Sequence, residues 1–397
     1  MASIEIKHVG PLAETGEIEL KTVNLFIGKQ GIGKSTLMKI LCHCRWMEKT
    51  LMVENSEALF REHEDNFLKD LKRFHRFNDD YFSDESEINY QGACIAIHFK
   101  GEARIERLPG FEERRYNTKL SFIPSERNLL YAIKNIDKAY RSSEWDLLFN
   151  YIFEWGEAKE HYTTVSPKTL VVAPDVEYFF DQQKEADVVR LKNKKIELSP
   201  FYASSGIQSA LPVEILADYI AQMAGSIAPV SRNMMKEMME IQQRQAVNSL
   251  SKGPNRTQLS HYQSAQLFIE EPEQNLYPEA QWNLARSIVA AIKSAMSRTD
   301  CPSMVTLTTH SPYVLTTLNV LMLAAEAYKK DGEATSQVVP ESCILPTGSI
   351  AAYYITEAGT LQDIVNTELQ MISGLQLDGV SDWVDDSIAA LNTIIYG

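Results

Sequence analysis

"LFIGKQGIGKSTL", residues 25–37, decides the fold. Gly28, Gly31 and Gly33 fall within six residues, and Lys34, Ser35 and Thr36 follow at once. Val23 to Ile27 is a short apolar run closed by glycine, the pattern of a buried strand. Thr36 to Leu41 reads as helix. Gly28–Ser35 therefore fits G-x-x-x-x-G-K-[ST] in the strand–loop–helix setting that this motif requires. The glycines let the backbone wrap so that several N–H groups point at phosphate oxygens. The positive end of the following helix adds to the attraction. Lys34 is expected to reach the β and γ phosphates. The Ser35 hydroxyl is expected to bind magnesium, which keeps several waters and takes few protein ligands. A glycine-rich turn carrying a surface lysine would need neither flanking element.

Hydrolysis would need a further metal ligand and a group that orients water. Ala265 to Ile269 is apolar enough for a buried strand and runs into Glu270-Glu271-Pro272-Glu273. Adjacent carboxylates at a buried strand end repel and desolvate each other, and a cation between them and a phosphate offsets that cost. Glu270 is read as the magnesium-side acid and Glu271 as the group that orients the attacking water. Pro278-Glu279 opens a helix with Trp282, Ala285, Ile288, Val289, Ile292 and Met296 on one side. A third strand, Ser303 to Thr308, ends in Thr309-His310-Ser311-Pro312. A histidine at such a strand end can hydrogen-bond a γ-phosphate.

With these motifs in this order, the sequence resembles the ABC-type ATPase heads of the structural-maintenance, RecF and overcoming-lysogenization-defect group. The resemblance implies a P-loop core sheet with an antiparallel β lobe and helical insertions, an α/β fold. It implies ATP and magnesium as ligands. It gives nucleotide contacts to Gly28, Gly31, Gly33, Lys34, Ser35 and Thr36, catalytic roles to Glu271 and His310, and metal ligation to Ser35 and Glu270. The family's signature loop, roughly S-G-G-Q, resembles Ser205-Gly206-Ile207-Gln208, followed by a helix beginning near Ala210. In the family this loop binds the γ-phosphate held by another subunit, so Ser205, Gly206 and Gln208 are expected to act in trans, in a homodimer or higher homo-oligomer with composite ATP sites. Glu270 stands where many such heads have aspartate, and Ile207 replaces the second signature glycine. The family's glutamine loop has no assigned place here. "SFIPSERNLL" resembles the PSER stretch of AAA-like ABC ATPases found beside phage-defence effectors. Arg127 within it either lines the nucleotide site or is a buried structural arginine.

The chain has 397 residues, which suits two or three domains or one domain with large insertions, and with 44% hydrophobic residues it can bury a real core. No stretch approaches the ~18–20 uncharged apolar residues of a membrane span. "MASIEIKHVG" lacks an apolar signal region and begins like a strand. Five scattered cysteines point to reduced thiols and a cytoplasmic setting. Cys42-His43-Cys44 is read as helix packing, with no second ligand pair to make a metal site. A net charge of −14 leans against a dedicated nucleic-acid binder, so nucleic acid is left open but not indicated by charge. The basic clusters Lys72, Arg73, His75, Arg76 and Arg190, Lys192, Lys194, Lys195 are read as solvated surface.

The expected organisation is an ATPase lobe with the glycine loop (1–127), a helical insertion (128–165), a signature-containing lobe (166–224), a second, methionine-rich helical insertion (225–258) and the rest of the head (259–397). Residues 3–8, 17–20 and 92–107 alternate like antiparallel strands, 51–80 reads as charged helix, 349–365 as a strand pair and 366–397 as terminal helices. No sustained heptads announce a long coiled-coil arm. The tail segment "DWVDD" does not fit a Toprim nuclease site. The favoured function is an ATP-hydrolysing switch, sensor or scaffold, implied by the resemblance to act in anti-phage defence with a separate effector protein. The alternative is a DNA-repair or chromosome-associated ATPase that binds DNA directly. A transporter subunit, which usually carries L-S-G-G-Q, is least favoured.

Overall fold

The computed structural model describes residues 2–133, 136, 146–226, 261–374, 387 and 391. The chain opens with β1 (Ser3–Val9), on which β2 (Leu12–Glu14) and β3 (Ile18–Glu19) both pair antiparallel. β4 (Val23–Ile27) leads through the glycine loop into α1 (Lys34–Val53). After α2 (Glu57–His75), strands β5 (Phe82–Gln91), β6 (Ile95–Lys100) and β7 (Glu102–Arg107) complete an antiparallel sheet in the order β2-β1-β5-β6-β7. β8 (Thr118–Ile123) returns to the central sheet, and α3 (Leu147–Ala158) follows. Next comes an antiparallel meander of β9 (Lys168–Leu170), β10 (Ala173–Asp181), β11 (Ala186–Leu191) and β12 (Ile196–Leu198). The remainder alternates: α4 (Ser205–Met223), β13 (Ser264–Glu270), α5 (Pro278–Met296), β14 (Met304–Thr309), α6 (Pro312–Lys330), β15 (Ile350–Ile355) and β16 (Leu361–Asp363).

The central sheet runs β8-β13-β14-β4-β15-β16, parallel throughout except for the antiparallel edge strand β16. The fold is thus α/β, with a separate antiparallel lobe. Every residue of β4, β13 and β14 is buried, as expected of parallel strands covered on both faces. The two-residue period sorts their side chains between two cores. Val23, Leu25 and Ile27 of β4, with Leu267, Ile269, Val305 and Leu307, face a core shared with α4, α5 and α6. Phe26, Phe268 and Met304 face the other core, shared with α1, α2 and the antiparallel lobe. Because β4, β14 and β13 are adjacent and parallel, their carboxyl ends share one edge, where open α/β sheets place ligands.

Several expectations change. The signature helix starts at Ser205 rather than near Ala210, because the Ser204 hydroxyl caps it by accepting from the Ile207 N–H. Ser205 to Gln208 is therefore its first turn. The β9–β12 meander was not anticipated. Residues 365–372 carry a small hairpin, Val365–Asn366 against Met371–Ile372, rather than helix. His75 is buried, not solvated, since it lies four and eight residues from Leu71 and Phe67 on the core face of α2. The second basic cluster is solvated as expected, with Lys192, Lys194 and Lys195 exposed and Arg190 paired with Glu197 at 2.9 Å. The methionines at 234, 235, 238 and 239, "DWVDD", residues 137–145 and most of the expected terminal helices lie outside the described residues.

Candidate nucleotide site

The loop between β4 and α1 needs its glycines for two reasons. Gly28, Gly31 and Gly33 have φ values of 155°, 78° and 106°, backbone that favours glycine. A Cβ on Gly33 would also lie 2.7 Å from the Leu12 side chain, and one on Gly28 would lie 2.8 Å from the Ile355 carbonyl. The first turn of α1 consequently sits tight against the β1–β2 hairpin. Lys34, 6% exposed, donates to the carbonyls of Gly28 (2.9 Å) and Lys29 (2.7 Å). Burial pulls its pKa below the usual lysine value, against the opposing pull of Glu271, Glu273 and Glu270. Ser35 is exposed and Thr36 is buried.

Lys34, His310 and Glu271 form a line. The ammonium lies 3.4 Å from His310 Nδ1, and His310 Nε2 lies 2.9 Å from a Glu271 carboxylate oxygen. An ammonium can only donate and a carboxylate can only accept. One neutral histidine tautomer satisfies both: Nδ1 accepts from Lys34 while Nε2–H donates to Glu271. This hydrogen bond is the main reason the Glu271 pKa lies below the ordinary glutamate value, with burial opposing it.

Glu271 has φ 42°, a left-handed conformation costly for a non-glycine residue and typical of functional sites. Its backbone is held from several sides. Its N–H donates to the Thr308 carbonyl at 3.0 Å, and its own carbonyl accepts from Arg127 at 2.6 Å. Arg127 is fully buried, and it donates also to the carbonyls of Glu270 (2.7 Å), Ser209 (3.0 Å) and Pro124 (3.3 Å). Its guanidinium is thus committed to main-chain carbonyls behind the acidic turn, and burial lowers its pKa.

The same guanidinium ties the acidic turn to α4. A second link runs from Asn275 through the Ser209 hydroxyl to Asn128, at 3.0 and 3.1 Å. Gly206 permits the contact, since a Cβ there would stand 3.0 Å from the Asn275 carbonyl. Ser205 is exposed. Gln208 spends its amide on the carbonyls of Pro200 (2.9 Å) and Phe201 (3.0 Å), bracing the turn before the helix. Among the described residues no hydrogen bond joins residues 205–208 to Lys34 or His310.

The donor set suits magnesium. Glu270 is 2% exposed; one of its oxygens accepts from the Ser125 N–H at 3.0 Å, and the other is buried without a hydrogen-bond partner among the described residues. A buried carboxylate oxygen without a hydrogen-bond partner matches the hard oxygen ligation magnesium takes. Sequence reasoning missed Glu273, which accepts from the Thr309 hydroxyl (2.6 Å) and the His310 N–H (2.8 Å). It also missed Asn275 and Ser209. Their signal was weak: a single acid in an acidic run, an asparagine in a turn and a serine within a helix.

No protein-family model matches the chain, and no curated protein sequence does. Solved structures with some likeness include the SMC head domain from Thermotoga maritima, at 8% identity and TM-score 0.39, covering 91% of this chain and 98% of that one. An SMC head bound to the C-terminal winged-helix domain of ScpA gives 10% identity and TM-score 0.40, covering 91% and 96%. The recombination mediator RecF gives 11% identity and TM-score 0.29, covering 91% and 97%. At such scores the likeness carries no argument, which rests instead on the geometry of the chain itself.

Proposed function

We propose that the chain is an ATP-binding and ATP-hydrolysing head of the ABC type that works as a nucleotide-driven switch. The carrying observation is the Lys34–His310–Glu271 line, formed where three parallel strands end beside a glycine loop. Loop N–H groups and Lys34 take the β and γ phosphates, Lys34 exchanging its bonds to the loop's own carbonyls for bonds to phosphate. Glu271, kept ionised, accepts a proton from the water that attacks the γ-phosphorus as the bond to the β-phosphate oxygen breaks. His310, neutral and bridging, donates its Nε2–H to hold Glu271 in place. Ser35 and Glu270 would hold magnesium, which supplies charge neutralisation at the phosphates.

The exposure of Ser205 and the close approach at Gly206 support a second element of the reading: this turn caps the nucleotide of another copy, in a homodimer or larger assembly. The Pro124–Arg127 resemblance supports a separate effector chain in a defence setting, and a pull-down from the native host would identify it. Two variants test the core reading. Lys34→Ala should lose nucleotide affinity by calorimetry, and undiminished binding would sink the assignment. Glu271→Gln should keep binding while hydrolysis slows by at least ~10²-fold, the usual scale for a positioned acid–base group. Wild-type turnover in that variant would remove Glu271 from the mechanism.

A further inference from the structure

The Glu271–His310 contact joins the ends of two strands, and something must fix their spacing. The hydrogen bonds point to one side chain. A single oxygen of Glu273 accepts from the Thr309 hydroxyl at 2.6 Å and from the His310 backbone N–H at 2.8 Å. The Thr309 oxygen in turn accepts from the Ser311 N–H at 2.9 Å, so three consecutive residues around the histidine hang on this carboxylate. Glu273 lies two residues beyond Glu271, whose left-handed backbone needs external bracing. Arg127 and Thr308 supply that bracing on the Glu271 side. On the histidine side it comes from Glu273. A second tie lies farther out, where Gln281 accepts from the Ser311 hydroxyl at 2.5 Å and donates to the Leu276 carbonyl at 2.8 Å. That pair holds the two turns together but touches neither His310 nor Glu271.

We propose that Glu273 is a positioning residue, whose carboxylate hangs the histidine turn from the acidic turn and so sets His310 against Glu271. This rests on the ATPase reading above. It goes beyond that reading by assigning a role to an acid that neither binds metal nor meets water there. What Glu273 supplies to the histidine turn is an acceptor oxygen at a fixed point. A glutamine keeps such an oxygen; an alanine removes it and frees the histidine turn to drift.

The test compares Glu273→Ala, Glu273→Gln and Thr309→Val by steady-state ATP hydrolysis and by NMR of selectively labelled histidines. Glu273→Ala should lower kcat about tenfold or more, the scale of a misplaced reacting group, while KM for ATP stays within about twofold. Glu273→Gln should recover most of that loss. In the NMR arm, recorded without nucleotide, the His310 ring should report a single Nε2–H tautomer in wild type and Glu273→Gln, and a tautomer mixture in Glu273→Ala. Wild-type kcat in Glu273→Ala would overturn the proposal, as would equal damage from alanine and glutamine. If Glu273→Ala does not fold, Thr309→Val removes one of the two bonds and should show the same split at smaller size; an unchanged kcat there would overturn it too. A wild-type protein that does not hydrolyse ATP would end the ATPase reading, while the tautomer measurement would still decide the role of Glu273.

Discussion

Gly33 shows how much a single residue carries at this site. Its φ of 106° is one that a side chain tolerates poorly, and the space its Cβ would need is filled by Leu12. Gly33→Ala should therefore cost roughly 1–3 kcal/mol of stability and displace the start of α1 from the β1–β2 hairpin. Denaturant titration and nucleotide calorimetry would check both effects, and unchanged values would mean that the hairpin can yield. The glycines, Lys34 and Ser35 were legible because their meaning is local: spacing, a strand before, a helix after. Glu271 and His310 were legible from their places at strand ends, though not the hydrogen bond between them. Glu273 was not legible. Within Glu270-Glu271-Pro272-Glu273 it is one acid among three, and its value comes from Thr309 and His310, more than thirty residues away in sequence.

At the scale of elements, α1 and α2 bury a set of histidines. His43 on α1 faces His75 on α2, their rings 5.5 Å apart, among Trp46, Phe67, Phe74, Phe77 and Phe122. Both ring nitrogens of His75 and Nε2 of His43 are buried without hydrogen-bond partners among the described residues. Burial holds the His43 pKa down to about 3, helped by His63, and lowers that of His75 well below normal, helped by His43 and Lys39. The sign follows directly. Below pH 6.5 the unfolded chain takes up protons at both positions and the folded chain does not. Stability should therefore fall as pH drops from 6.5 towards 3, by about 1.4 kcal/mol per pH unit for each histidine titrating in the unfolded state. Denaturant titrations at pH 7 and pH 5.5 would check this. His75→Phe should flatten the slope, and an identical slope in that variant would show that His75 contributes nothing. The four-residue spacing of His63, Phe67, Leu71 and His75 was available in the sequence, but the neighbouring Lys72 and Arg73 masked it. The β9–β12 meander was missed for a related reason. β9 and β12 have three residues each, and β10 and β11 bury adjacent pairs, Tyr178-Phe179 and Val188-Val189, so a two-residue period is hard to see.

For the whole molecule, the three apolar strands and the ligand-bearing turns at their ends were readable from the motifs, but their order in the sheet was not, since several orders bring three parallel strand ends to a common ligand. If Ser205 and Gly206 serve a neighbour's nucleotide, activity per chain should rise with protein concentration. Lys34→Ala and Ser205→Arg should each be nearly inactive alone, and mixing them should restore part of the activity through one intact shared site if sites can fire singly. A wild-type monomer with concentration-independent turnover, still monomeric with ATP bound, would refute sharing. Arg127 adds a mechanical consequence. It fastens the carbonyls of the acidic pair, Glu270 and Glu271, to Ser209, one turn inside the 19-residue α4. The acidic pair and the first turn of α4 are therefore joined through a guanidinium that solvent does not reach. If a neighbour seats on that first turn, the contact and the backbone of Glu271 are the two ends of one short strut, and a shift at either end is felt at the other.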